Sequence, residues 1–167
     1  MSTTPVKTFF ITGVSSGFGR ALSQAALDAG HRVIGTVRNA EDASAFEAMR
    51  PGRAMARLLD LTDHASVERV ALEVEKTIAP VDVIVNNAGY GHEGILEESP
   101  LDDMRRQFEV NVFGAVAVIK AFLPFMRTRR SGRILNITSM GGFITMPGIA
   151  YYCGSKFALE GISEALA

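Results

Sequence analysis

Tyr152 and Lys156, four positions apart, are the pair in this chain best suited to move a proton. On a helix, residues at i and i+4 share a face, with Cβ atoms about 5–6 Å apart. A free phenol, with a pKa of about 10, is a poor acid–base group near neutrality. A neighbouring ammonium favours the phenolate and draws that value towards the working pH. Ser139 stands thirteen positions before Tyr152, just past an apolar run that ends at Ile137. A hydroxyl at the C-terminal end of a strand can donate to a carbonyl oxygen as negative charge grows on it. Taken singly, Tyr152 reads as a core tyrosine and Lys156 as a solvated helix residue, so the combination carries the argument. The neighbouring Tyr151 has Ser155 rather than a cation at i+4 and reads as packing or pocket wall.

A second group of residues could hold an anion. Thr12-Gly13-Val14-Ser15-Ser16-Gly17-Phe18-Gly19 follows the first apolar run and opens a helical pattern. Glycines there permit a tight turn and let the backbone approach a pyrophosphate at the helix N-terminus. The spacing is Gly-x-x-x-Gly-x-Gly rather than the commoner Gly-x-Gly-x-x-Gly, so these residues alone also fit a turn that binds nothing. Asn86-Asn87-Ala88-Gly89 follows the fourth apolar run, and Asn111 is a polar residue inside an otherwise apolar helical stretch. Cys153 sits one helical step off the Tyr152–Lys156 face, as a small packing residue would. His31, His64 and His92 are too widely spaced for a metal site; His92, in the loop after Gly89, is the one within reach of a substrate.

The elements that must position these groups follow from the hydrophobic pattern. Thr8–Ile11, Val33–Val37, Ala56–Leu59, Val81–Val85 and Ile134–Ile137 read as strands, mostly continuous in apolar residues. Such runs belong to a parallel sheet covered on both faces. Between them, Phe18–Ala29, Ala40–Met49, Ala65–Thr77 and Pro100–Thr128 carry helical spacing, and another helix runs from about Ala150. Strands alternating with helices predict an α/β fold with a Rossmann-type doubly wound parallel sheet. Ser99-Pro100 predicts a cap followed by proline at the first helical position, Thr62-Asp63 opens the third helix, and Gly30 closes the first. No linker, repeat or low-complexity tract divides residues 1–167, which predicts a single domain.

Composition narrows the function classes. Seventeen Lys and Arg against eighteen Asp and Glu leave a net charge of −1, which gives no electrostatic reason to expect a nucleic acid or an anionic membrane as partner. Hydrophobic residues make up 47% of the chain, a globular composition. One cysteine excludes an intrachain disulfide and a multi-cysteine metal site. Met1 to Pro5 is polar and carries no secretory pattern, and Val110–Met126 is interrupted by Asn111, Lys120 and Pro124. These features predict a soluble, cytoplasmic protein. Arg127, Arg129, Arg130 and Arg133 cluster where the long helix ends, where they would neutralise its carbonyl end.

Taken in order, the glycine turn, Asp60-Leu61, Asn86-Asn87-Ala88-Gly89, Asn111, Ser139 and the Tyr152-x-x-x-Lys156 pair closely resemble the short-chain dehydrogenase/reductase family. The general look is similar to its hydroxysteroid- and retinol-dehydrogenase-like members. The resemblance covers nearly the whole chain and implies carbonyl–alcohol interconversion with a nicotinamide cofactor. It implies that Tyr152 exchanges the proton, Lys156 also holds the nicotinamide ribose, Ser139 orients substrate and Asn111 supports a proton-relay water. The same resemblance assigns Gly13, Ser15, Ser16, Gly17, Phe18 and Gly19 to the cofactor phosphates. It assigns Asp60 and Leu61 to the adenine, while Asn87, Ala88 and Gly89 border the cofactor. Val37 stands where NAD-preferring members carry an acid, and Arg38 beside it can grip a 2′-phosphate, so NADP is expected over NAD. Met140, Phe143, Met146 and Ile149 imply an apolar ketone or aldehyde as substrate. The rival is a non-catalytic NADP-binding sensor or interaction protein, which the intact Ser139, Tyr152 and Lys156 disfavour. The family commonly pairs through its long helix and Tyr-bearing helix, implying a homodimer or homotetramer. Family members continue past Ala167, so the resemblance also implies a domain lacking the C-terminal strands.

Overall fold

The computed structural model describes residues 5–167; residues 1–4, part of the polar opening segment read above, lie outside it. Five parallel strands form one sheet: β1 (Thr8–Ile11), β2 (Arg32–Val37), β3 (Ala54–Leu58), β4 (Val83–Asn86) and β5 (Arg133–Asn136). Their order is β3-β2-β1-β4-β5, with Phe10 level with Ile34 on one side and Ile84 on the other. Chain direction across the sheet reverses at β1, so a crevice opens between the turns that follow β1 and β4, where such folds bind ligands.

Both faces are covered, which explains the unbroken apolar runs. Phe10, Ile34 and Ile84 pack on one face with Val70, Val118, Phe122 and Met126. Their neighbours Ile11, Val33 and Val85 point the other way and pack with Leu27 and Phe46. The first face is covered by α3 (His64–Glu73) and α5 (Ala115–Arg129), the second by α1 (Gly17–Asp28) and α2 (Ala40–Glu47). Helix α4 (Leu101–Phe108) leads into α5 through a π turn, Glu109–Gly114, and α6 (Ala150–Leu166) follows β5. The run Leu101–Arg129 is long and apolar enough to cross a bilayer by length and composition. In this fold Val118, Phe122 and Met126 turn that run into a core helix.

Several boundaries moved. Pro100 stands at the cap position of α4, with ψ of 136°, so the helix begins at Leu101. Ser99 donates its hydroxyl to Ile95 O instead of capping. The third helix ends at Glu73 and continues as a π turn, Val74–Ile78. Arg129, expected to neutralise a helix end, pairs with the buried Glu75 carboxylate at 3.0 Å and so ties α5 to that π turn. Asp63 caps α3 as expected, accepting from the Ser66 amide, and Gly30 closes α1 with φ of +85°.

Gly35 is closely packed under the crevice. A methyl there would stand 2.5 Å from Val14 Cγ2 and 2.7 Å from Phe46 Cζ. Gly35→Ala is expected to destabilise by about 1–3 kcal/mol, the usual effect of overpacking. Urea unfolding of the two proteins measures the difference.

Candidate active site

The crevice begins with Thr12, which follows β1 directly and holds the turn after β4. Its hydroxyl oxygen accepts the amides of Asn87 and Ala88, both at 3.0 Å. In return the Asn87 side-chain amide donates to Thr12 O at 2.8 Å and Gly13 O at 3.0 Å. The Gly13 amide donates to Thr36 Oγ1 on β2 at 3.1 Å, so three strands fix one turn. Gly13 has φ of +71°, and a methyl on it would stand 3.0 Å from Ala88 Cβ. At Gly19 a methyl would collide with Gly13 O and lie 2.5 Å from Asn87 Nδ2.

Ser16 opens α1 in an extended conformation without a side-chain cap, and no acidic residue stands in the first turn. The positive end of α1 therefore meets the crevice with amide groups that no side chain among the described residues satisfies. That is the chemistry a pyrophosphate needs, and the glycines remove the Cβ atoms that would obstruct it. Ser15 and Gly17 complete the turn, with Gly17 at φ of +54°, and the Phe18 ring is 77% exposed beside it.

Arg38 and Asp60 follow the C-terminal ends of β2 and β3, along the same sheet edge. Arg38 is exposed and makes no ion pair among the described residues. The Asp60 carboxylate accepts both the amide and the hydroxyl of Thr62, at 2.9 and 2.8 Å. Leu61 is buried, and a methyl on Gly114 would lie 2.8 Å from its Cβ.

At the far end of the crevice, α6 places Tyr152 and Lys156 one turn apart. Lys156 Nζ lies 5.8 Å from the centre of the Tyr152 ring and donates to Ile137 O, just past β5, at 2.7 Å. The lysine is only 6% exposed, and burial pushes its pKa below the ordinary 10.5. Ser139 caps a short turn, Met140–Gly142, and its oxygen accepts the Gly141 amide at 3.1 Å. That leaves the hydroxyl proton to donate elsewhere. A methyl on Gly141 would touch Ser139 Oγ at 3.5 Å and Tyr152 Cε1 at 3.4 Å, so these two side chains converge on one point.

Asn111 lies in the π turn and is 2% exposed. Its side chain accepts from Tyr90 N at 3.0 Å and donates to Tyr90 O at 2.9 Å and Ser155 Oγ at 3.1 Å. Ser155 in turn donates to Tyr152 O at 2.7 Å. A methyl on Gly89 would stand 2.9 Å from Asn111 Oδ1, which explains the glycine. Sequence reasoning missed Thr12, Thr36, Ser155 and Gln107. Gln107 is fully buried and donates to Tyr90 O at 2.7 Å, beside Asn111. Its signal was two amides one helical turn apart in an amphipathic stretch; Thr12 and Thr36 gave none beyond their place at strand ends. Tyr151 is packing, as read, and donates its hydroxyl to Ser99 O at 2.8 Å.

Residues 7–167 match the family model for short chain dehydrogenase, and the chain belongs to that family. It is 40% identical over 157 residues to a 3-ketodihydrosphingosine reductase of Bacteroides thetaiotaomicron, covering 94% of this chain and 56% of that protein. It is 35% identical over 162 residues to an NADPH-dependent 3-dehydrocapnine reductase of Ornithobacterium rhinotracheale, covering 93% of this chain and 57% of that protein. A solved short-chain dehydrogenase from Streptomyces avermitilis is 44% identical, with a TM-score of 0.94 over 97% of this chain and 60% of that one. Similar solved structures hold NADP in one case and NAD+ in another. The chain spans a little over half the length of these curated relatives, and its five strands are fewer than the seven of the complete family sheet.

Burial of Lys156 gives a pH signature. Its folded-state pKa lies below the unfolded value, so between the two the unfolded chain binds more protons and stability rises with pH. Lys156→Met is expected to abolish that rise, leaving a flatter stability profile below pH 10.5. Denaturant unfolding of both proteins at a series of alkaline pH values measures it.

Proposed function

We propose that this protein is an NADP-dependent oxidoreductase that interconverts a carbonyl and an alcohol, with Tyr152 as general acid and base. The convergence of Tyr152 and Ser139 on Gly141, with the buried Lys156 ammonium 5.8 Å from the phenol ring, carries the reading. That ammonium stands over the face of the Tyr152 ring, within cation–π reach. In reduction Tyr152 gives its proton to the carbonyl oxygen; in oxidation it takes that proton from the alcohol. Ser139 donates its free proton to the same oxygen and holds it as negative charge develops. Bound nicotinamide supplies or removes the hydride at the carbon. Lys156 would hold the nicotinamide ribose, and Asn111 fixes the Tyr90 peptide and, through Ser155, the backbone of Tyr152.

Gly13, Ser15, Ser16, Gly17, Phe18 and Gly19 would hold the pyrophosphate at the start of α1. Asn87, Ala88 and Gly89 border it, and Asp60 and Leu61 meet the adenine. NADP is preferred because Arg38 has no ion-pair partner among the described residues and Val37 offers no carboxylate to ribose hydroxyls. The 3-dehydrocapnine reductase of Ornithobacterium rhinotracheale, a relative named as NADPH-dependent, supports this choice. The substrate is an apolar ketone or aldehyde. Met140, Phe143, Ile144 and Met146 are exposed in the loop after Ser139, and one curated relative is named as the reductase of a 3-keto compound, another as that of a 3-dehydro compound. The same reading includes a cytoplasmic homodimer or homotetramer, for which the half-exposed Phe113 and Phe157 offer apolar surface.

Tyr152→Phe in the complete protein is expected to lower kcat by about 10²–10⁴ and to leave NADPH affinity unchanged. Lys156→Ala should lower both, because the lysine braces the Tyr152 ring and would hold the nicotinamide ribose. Stopped-flow turnover and fluorescence titration with NADPH separate the two effects; full activity in Tyr152→Phe would refute the mechanism.

Arg38→Ala should weaken NADPH by roughly ten- to a hundredfold, the loss of a charge-assisted contact. Adding Val37→Asp should strengthen NADH. A wild-type protein that binds NADH more tightly than NADPH would overturn the assignment of Arg38.

A further inference from the structure

The loop after β4 carries a cluster that the proposed chemistry does not use. His92 Nε2 lies 3.0 Å from Ser99 Oγ, and its ring stacks on Tyr151 with centroids 5.2 Å apart. Its Nδ1 faces the Asp103 carboxylate of α4 at 3.9 Å. Tyr151 reaches the same serine from α6, donating to Ser99 O at 2.8 Å. Ser99 is thus gripped through its side chain from the loop and through its carbonyl from the helix bearing Tyr152. Further along, the Gly94 amide donates to Gly148 O at 2.8 Å, and Gly94 pairs with Ile149 in a single parallel bridge. A methyl on Gly94 would stand 2.5 Å from Ser99 Oγ and 2.9 Å from His92 Nε2, so the loop closes tightly around this glycine.

This loop also touches the reacting side chain. A methyl on Gly91, the residue before His92, would lie 3.6 Å from Tyr152 Cδ2. Gly141 meets the opposite edge of the same ring at 3.4 Å, measured the same way. The phenol therefore stands in a slot between two glycines, one carried by the Ser139 turn and one by the loop that His92 anchors. Resting on the catalytic reading above, we infer that His92 is a positioning residue for the carbonyl substrate. By clasping Ser99 and Tyr151 it holds Gly91 against the Tyr152 ring and sets the width of the substrate mouth. Bulky apolar groups beside the carbonyl are the substrates most sensitive to that width.

The test compares His92→Leu and His92→Gln in the complete protein, with NADPH and acetophenone. His92→Leu is expected to raise KM by about two- to tenfold, the worth of one hydrogen bond, with kcat and NADPH affinity unchanged. His92→Gln, which can still bond Ser99 Oγ, should recover part of the KM. Hydrogen exchange, which needs no turnover, should show the Gly94 amide exchanging faster in His92→Leu. Gly91→Ala, which adds a methyl at contact distance from the ring, should raise KM for acetophenone more than for acetaldehyde. A fall in kcat at constant KM, a loss of NADPH affinity, or unchanged KM and exchange would each overturn the inference. Turnover surviving in Tyr152→Phe would refute the catalytic reading instead, leaving the exchange result to decide the clasp.

Discussion

Taking the Lys156 ammonium out of water constrains everything around it. An ion loses several kcal/mol of hydration on burial unless the protein supplies partners. Here the partners are the Ile137 carbonyl at 2.7 Å and the face of Tyr152, whose ring centre at 5.8 Å is within cation–π reach. Both are useful only if α6 is fixed relative to the end of β5. That fixing is visible as side-chain bonds across the sheet. Asn86 on β4 donates to Asn136 on β5 at 2.8 Å, and Asn136 donates to Ser163 on α6 at 2.8 Å. Asn111 holds the same helix about two turns earlier through Ser155.

The two ends of the crevice share one short segment, the turn after β4. Asn86 ties it to β5, and Asn87 clamps the glycine turn after β1. Three residues on, both backbone polar groups of Tyr90 are bound by Asn111, with Gln107 adding a second donor to its carbonyl. Since Asn111 reaches Ser155 and Ser155 reaches the Tyr152 carbonyl, the segment links phosphate cradle to phenol without a flexible step. Small residues are required throughout, because the chain passes close to its neighbours at Gly13, Gly19 and Gly89. A side chain at any of these would separate the parts that the bonds hold together.

Much of this was legible in the sequence, for identifiable reasons. The five strands were, because a strand buried on both faces leaves an uninterrupted apolar run such as Val33–Val37. The Tyr152–Lys156 pairing was readable from helical spacing and the place of Ser139 from the end of the fifth apolar run, whereas grouping Ser139 with Tyr152 rested on the family resemblance. The π turns were not, since one wider turn leaves hydrophobic periodicity almost unchanged over so short a span. Ser99 misled because its hydroxyl is used by Ile95 and His92, partners invisible to a local capping pattern. The Thr12 and Asn87 bonds join residues 75 positions apart, and no local pattern encodes such a contact.

The segment Leu101–Arg129 shows why composition alone misjudges a helix. Its apolar content would suffice for a bilayer, yet Gln107 and Asn111 are both fully or nearly fully buried within it. Two buried amides in lipid would be costly, whereas here the Tyr90 peptide and Ser155 satisfy most of their polar atoms. The π turn brings Gly114 against Leu61, where a methyl would stand 2.8 Å from the Leu61 Cβ. Beyond it, Val118, Phe122 and Met126 enter the sheet core. One helix thus supports the reacting end at its first half and the sheet at its second. The wider turn between them lets a single run of chain serve a polar and an apolar surrounding in succession.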